Sequence, residues 1–147
     1  EMSEEEGKTL FFKREDISVP IPLFFESTGN KTLINILPAI LHSVQKGGLL
    51  VIDEFSSGFH NKLEELIIRY IMNNSTNTQM LLVSHSTNLL SNALLRPDQV
   101  YSVEMMGGEG SVLNRFSDEQ PRVAQNIEKM YLSGVFGGIP EYETDKE

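Results

Sequence analysis

A chain of 147 residues with 39% hydrophobic content can bury one core and has the size of a single domain. Its net charge of −9, from 21 acidic and 12 basic side chains, argues against direct nucleic-acid binding, which is built on Lys and Arg meeting phosphates. The lack of cysteine excludes disulfides and thiolate metal sites and fits a reducing cytoplasm, and no run of ~18 apolar residues is present to cross a membrane. No signal-peptide pattern opens the chain, and its start at Glu1 rather than Met leads us to expect a piece of a longer protein. The expectation is one cytoplasmic domain over residues 1–147.

Residues 1–7 are acidic and polar and offer too little apolar surface to order themselves. Residues 10–13 and 17–23 read as two short strands around the charged turn Arg14-Glu15-Asp16. Pro20 and Pro22 confine the second to an edge, because proline cannot donate to a ladder. Next, Leu33, Ile34, Ile36, Leu37, Ile40, Leu41 and Val44 recur at a spacing that fits a helix. Ser27 or Thr28 is placed to cap this helix. Pro38 should kink or divide it, and Gly47-Gly48 should end it.

Leu49-Leu50-Val51-Ile52 is a short, wholly apolar run that leads into Asp53-Glu54. Such a run fits a strand buried on both faces of a parallel sheet. After Ser56-Ser57-Gly58, a second helix carries Leu63, Leu66, Ile67, Tyr70 and Ile71 on one face, with Glu64, Glu65 and Arg69 away from it. Met80-Leu81-Leu82-Val83 is a second apolar strand and ends in Ser84-His85-Ser86. Strand, helix and strand make a βαβ unit, whose crossover should be right-handed. Its carboxyl rim would carry Asp53, Glu54 and His85, and that rim is where open α/β sheets bind ligands.

Residues 88–95 read as a short helix or turn. Residues 99–104 and 111–116 form a hairpin across the glycine-rich stretch 105–110. Val123, Ile127, Met130 and Tyr131 share a face of a last helix, and the tail from Glu141 to Glu147 is charged.

One strand-end acid more often caps a helix or pairs with a lysine. Two in succession are costly to bury without a cation and water. The spacing of the surrounding motifs resembles the carboxyl-terminal half of an ATP-binding-cassette (ABC) class ATPase. More narrowly it is similar to the AAA-type, ABC-like ATPases of bacterial and phage-defence operons, distant relatives of SMC and DNA-repair ATPases. The marks are Glu26-Ser27-x-Gly29, Asp53-Glu54-x-x-Ser57-Gly58-x-His60, Ser84-His85, Arg96-x-Asp98-Gln99 and Tyr131-Leu132-x-Gly134-x-x-Gly137-x-Ile139-Pro140.

The resemblance implies an α/β fold, a partial P-loop NTPase of ABC type with a parallel-sheet core, flanking helices and a short β-hairpin near its C-terminal end. It implies ATP and Mg²⁺ as cofactors. Asp53 matches the Walker B acid that orients Mg²⁺, in keeping with that ion's preference for hard oxygens and retained waters. Glu54 matches the catalytic base that aligns the attacking water. Ser27 and Gly29 match the signature that meets a partner's nucleotide, where helix N-terminal amides approach phosphate. Ser57 and Gly58 match the D-loop that touches the opposite subunit, and His85 matches the switch histidine on the γ-phosphate. The implied partners are a second copy, joined through a nucleotide sandwich, and a nuclease or toxin effector.

No Gly-x-x-x-x-Gly-Lys-[Ser/Thr] loop occurs in these residues, since Gly29-Asn30-Lys31-Thr32 lacks both the Gly-Lys adjacency and the upstream glycine. The chain alone is therefore expected to hydrolyse no ATP. Two other readings are open: a non-catalytic interaction module derived from an ABC ATPase, and a split subunit that takes its phosphate loop from another polypeptide.

Overall fold

The turn at Glu15-Asp16 folds β1 (Phe11–Arg14) back on β2 (Ile17–Pro22) as an antiparallel pair. Phe12 lies opposite Ile21 but Arg14 opposite Ile17, so the register slips where Pro20 would otherwise have to donate. The structure is a computed structural model and describes residues 9–91, 94–122 and 125–139. The chain divides into two units, Glu1–Ser84 and His85–Glu147.

In the first unit, α1 (Thr28–Lys46) starts at Ser27, whose side chain accepts the Asn30 N–H at 3.2 Å. It ends at Gly47 (φ 79°), whose N–H returns to the Ser43 carbonyl at 2.8 Å. The division expected at Pro38 does not occur. The helix runs through it with Pro38 exposed, and packing on either side, at Gly29 and at Ile40 and Ser43, holds it together.

Strands β3 (Gly48–Ile52) and β4 (Thr78–Leu82) pair in parallel, from Gly48 opposite Thr78 to Ile52 opposite Leu82. The helix α2 (Asn61–Asn74) connects them, which gives the expected strand, helix, strand order. Thr78 ties the start of β4 to α1 by donating to the Ser43 carbonyl at 2.7 Å. The core of the unit is Ile40, Leu50, Phe55, Ile67, Ile68 and Ile71.

Two expectations are corrected here. The apolar strand is covered on one face only: Leu50 is 7% exposed, whereas Leu49 and Val51 are 65% and 55% exposed. On β4 and just beyond it, Leu81 and Val83 are exposed too. The pair has two strands, α1 packs against it, and among the described residues nothing covers the other face. The buried stripe of α2 is Glu64, Ile67, Ile68 and Ile71, with Glu64 1% exposed, while Leu66 and Tyr70 face solvent. An apolar helix with Ile67 and Ile71 in common between two stripes can turn either to the core. Packing at Ile68 selects the one that carries Glu64.

In the second unit, β5 (Tyr101–Met105) and β6 (Ser111–Arg115) form the expected hairpin. It is closed by the Met106 N–H on the Gly110 carbonyl at 2.7 Å. Around it lie α3 (Asn88–Ser91) and α4 (Ile127–Leu132), the latter capped by Asn126, whose Oδ1 accepts the Lys129 N–H at 2.9 Å. Phe116 stacks on Phe136 at 3.9 Å and on Tyr131 at 5.8 Å. Ser102 donates to the Phe136 carbonyl beneath that stack. Val123 and the tail from Glu141 to Glu147 lie outside the described residues. Among the described residues no helix is long and apolar enough to cross a membrane.

Candidate functional site

The acidic pair sits where β3 and β4 leave their ladder together. Beyond the last pair, Val83 donates to the Ile52 carbonyl at 3.0 Å and Phe55 donates to the Val83 carbonyl at 2.9 Å. Between these bonds the chain turns sharply. Glu54 has φ 54°, in the left-handed region that a residue with a Cβ seldom adopts. Its N–H is held by Asp53 Oδ1 at 2.9 Å, and its carbonyl accepts the Ser57 N–H at 2.9 Å. Phe55, 1% exposed, anchors the turn and meets Phe59 edge-on at 5.8 Å. Both carboxylates are consequently outside, directly after a core strand and directly before a core phenylalanine.

A second pair of loops meets close by in sequence. Gly29 is buried in the first turn of α1, and a Cβ there would lie well under 3.0 Å from the Gly58 carbonyl oxygen. Gly58, at φ 81°, answers with its own Cβ position 3.4 Å from the Gly29 nitrogen. The two glycines named from the sequence therefore pack main chain on main chain, at a separation that leaves no room for a Cβ at Gly29. Ser27 and Ser57, next to them, are exposed.

Glu26 braces the start of α1 from beneath. It is buried, accepts both 2.9 and 3.1 Å bonds from Arg14, and takes the Asn30 side-chain N–H at 2.6 Å. The Asn30 bond, followed by the Arg14 charge, outweighs burial and holds the Glu26 carboxyl below its ordinary value of 4.5.

His60 caps α2, with Nδ1 accepting the Lys62 N–H at 3.3 Å, so its motif position has a local structural task. Arg96 forks onto Asp98 with two 2.9 Å bonds, and Arg115 donates twice to the Asp98 carbonyl. The Arg96 bond holds the Asp98 carboxyl below its ordinary value, and Asp98 in turn raises the Arg96 guanidinium. That motif builds a turn. His85 is exposed and opens the second unit, directly after Ser84. The structure brings together Asp53 with Glu54, and Ser27–Gly29 with Ser57–Gly58, all within the first unit. A cleft of about 380 Å³ in the second unit lies against Glu104, Asn114, Arg115, Asp118 and Glu119; Gly137 of the last sequence motif lines it, but none of the residues given a role in nucleotide or metal binding does.

One feature of the site has no counterpart in the sequence reading. Ser56 Oγ is hydrogen-bonded to Ser84 Oγ, which joins the loop after the acids to the end of the β4 segment. No pattern signals a hydroxyl pair 28 residues apart.

A parallel strand pair that delivers adjacent carboxylates at its carboxyl edge, beside a helix start with a glycine-tight turn, makes this a mixed α/β domain. Residues 2–91 match the model of the family described as "AAA domain, putative AbiEii toxin, Type IV TA system". The chain belongs to that family, and the match covers β1 through α3, including Ser27, Gly29, Asp53, Glu54, Ser57, Gly58 and His85. No curated protein and no solved structure matches the chain.

Proposed function

We propose that the chain supplies the hydrolytic half of an ATP site formed at a dimer interface, in an ATPase whose closure switches a defence-related or DNA-related partner in the bacterial cytoplasm. The observation that carries this reading is the Asp53-Glu54 turn, which exposes two adjacent carboxylates at the edge of a parallel pair by placing Glu54 at positive φ. A turn of that cost persists where the surroundings over-determine it, and such turns concentrate at functional sites.

The residues fit a magnesium nucleotide. Asp53 Oδ1 is engaged by the Glu54 amide, and Oδ2 accepts no hydrogen bond among the described residues, which leaves a hard oxygen for a metal-bound water. Among the described residues no three acidic or histidine side chains cluster as a metal cage. This suits Mg²⁺, which takes one or two carboxylates and completes its shell with phosphate and water. Bound there, the ion would neutralise charge on the phosphates. Glu54 orients and deprotonates the attacking water, and His85 donates to the γ-phosphate. Ser27 and the amides at the start of α1 meet the nucleotide of the second copy, while Ser57 and Gly58 reach across to it. The phosphate loop comes from polypeptide outside these 147 residues, and the bare face of β3 and β4 is where that part of the sheet and its helix would pack.

Two experiments test the reading. Calorimetry on the 147-residue chain should give no tight MgATP binding and no turnover, because most phosphate-binding amides and the lysine are not in it. Tight binding would refute the division of labour. In the complete ATPase, Glu54→Gln should retain ATP binding, accumulate a closed dimer and lose turnover by about 10²- to 10⁴-fold, the range of general-base catalysis. Hydrolysis at the wild-type rate would remove Glu54 from the mechanism.

A further inference from the structure

The Glu54 turn is held by more than its own sequence. A left-handed residue with a Cβ costs roughly 1–2 kcal/mol, and relaxation to an ordinary φ would swing the carboxylate away from the edge. Beside the turn's own bonds to Asp53 Oδ1 and Ser57, three bonds tie it to the end of β4 and oppose that relaxation. Two are main-chain bonds, from Val83 to the Ile52 carbonyl at 3.0 Å and from Phe55 to the Val83 carbonyl at 2.9 Å. The third is the hydroxyl pair Ser56–Ser84, both half-buried, which lies two residues beyond Glu54 on one side and two beyond the end of β4 on the other. It is the one of the three that a side-chain substitution can remove.

We infer that Ser56 and Ser84 are positioning residues that clasp the Glu54 turn to the end of β4, so that removal of their hydroxyl pair slows ATP turnover without weakening ATP binding. The inference rests on the reading of Glu54 as the base. Neither serine touches substrate in this account, and both act through the φ of Glu54.

The test has two arms. In the 147-residue chain, hydrogen exchange at the Phe55 and Ser57 amides should quicken about 2- to 10-fold in Ser56→Ala, in Ser84→Ala and in the double variant, the scale of one net hydrogen bond. Ser56→Thr, which keeps a hydroxyl, should stay near wild type. Unchanged exchange in the alanine variants overturns the clasp, and this result is independent of any catalytic role. In the complete ATPase the same alanine variants should lower kcat by about 2- to 10-fold with KM for ATP unchanged, and Ser56→Thr should restore kcat. The double variant decides between positioning and mere stability. Assayed well below its melting temperature, where it is fully folded, its kcat should stay as low as in the single variants, and a wild-type kcat there overturns the proposal. A rise in KM at constant kcat overturns it as well. If Glu54→Gln hydrolyses ATP normally, the base assignment has failed, and the exchange arm alone then judges the clasp.

Discussion

Replacing Gly29 with alanine sets two opposite effects against each other. Gly29 is the second residue of α1 and is not among the glycines at positive φ, so its backbone accepts alanine without strain. On propensity alone the substitution should stabilise by at most about 1 kcal/mol. The surroundings reverse the sign. The added carbon would fall well under 3.0 Å from the Gly58 carbonyl oxygen, 3.2 Å from the Gly58 carbonyl carbon and 3.8 Å from Phe59 Cα. These obstacles are main chain, so no side chain can rotate away. Either the first turn of α1 or the loop at Gly58 must move by on the order of 1 Å to regain van der Waals separation. Overpacking costs about 1–3 kcal/mol, and main chain against main chain, with no side chain free to rotate, takes the upper part of that range, about 2–3 kcal/mol, which leaves a net loss of about 1–2 kcal/mol after the propensity gain. Thermal unfolding followed by circular dichroism should show Tm lower by roughly 3–8 °C. Gly108→Ala is the control, since Gly108 has nothing within 4 Å and no positive φ, and it should stay within about 0.5 kcal/mol of wild type. A Gly29→Ala chain as stable as wild type, or more so, would refute the close packing of these two loops.

Glu26 gives the chain an acid-sensitive contact. Its folded carboxyl lies below 4.5, so its contribution is fully present above that value and disappears as pH falls through the lower folded value. The stability gap between wild type and Glu26→Gln should be constant near neutrality and close below pH 4.5, and a gap that ignores pH in Tm measurements would contradict the Arg14–Glu26–Asn30 brace. On the bare sheet face, Val51→Thr and Val83→Thr should each cost under about 0.5 kcal/mol in the 147-residue chain. In the complete ATPase each should cost about 1–3 kcal/mol once the face is covered and a hydroxyl is buried. A loss above about 1 kcal/mol in the 147-residue chain, read by urea unfolding, would show the face already covered.

What the sequence made legible was local. Ser27 caps α1, Gly47 ends it, and the residues flanking the stretch 105–110 fold back as a hairpin, because each of these signals acts within a few residues of itself. The run Leu49-Leu50-Val51-Ile52 was legible as a strand for the same reason. Its burial was not, because a strand's composition is matched to neighbours it does not encode, and among the described residues nothing covers the face that carries Leu49 and Val51. The orientation of α2 failed similarly. Leu63, Leu66 and Tyr70 make as good an apolar stripe as Ile68 makes with its neighbours, and only packing reveals that Glu64 goes inside. In the site, Asp53 and Glu54 could be named from their adjacency. The brace on Glu26, the Gly29–Gly58 contact and the Ser56–Ser84 pair could not, since each joins segments separated by 12 to 29 residues.

The positions of these long-range ties bear on how labour is divided in the proposed ATPase. Contacts within the first unit orient the acids: two main-chain bonds to Val83, a buried Phe55 and a pair of serines. The loops assigned to face a second copy are likewise held against each other, glycine on glycine, within the same unit. Two adjacent carboxylates are tolerable in that state because they face water, where unit charges about 4 Å apart repel by only about 1 kcal/mol. Enclosure by a phosphate loop and a second copy would raise that repulsion several-fold as the effective dielectric falls. A divalent cation then becomes a requirement of closure, since it is what makes the enclosed acids affordable. On this reasoning the geometry for hydrolysis is built in advance, and assembly supplies the nucleotide together with the low-dielectric surroundings that make Mg²⁺ indispensable. Closure of the complete dimer should accordingly depend on Mg²⁺ more steeply in wild type than in Asp53→Asn/Glu54→Gln, where the charges are gone. Equal Mg²⁺ dependence in the two, measured by size-exclusion chromatography with ATP present, would show that the acids play no part in coupling the cation to closure.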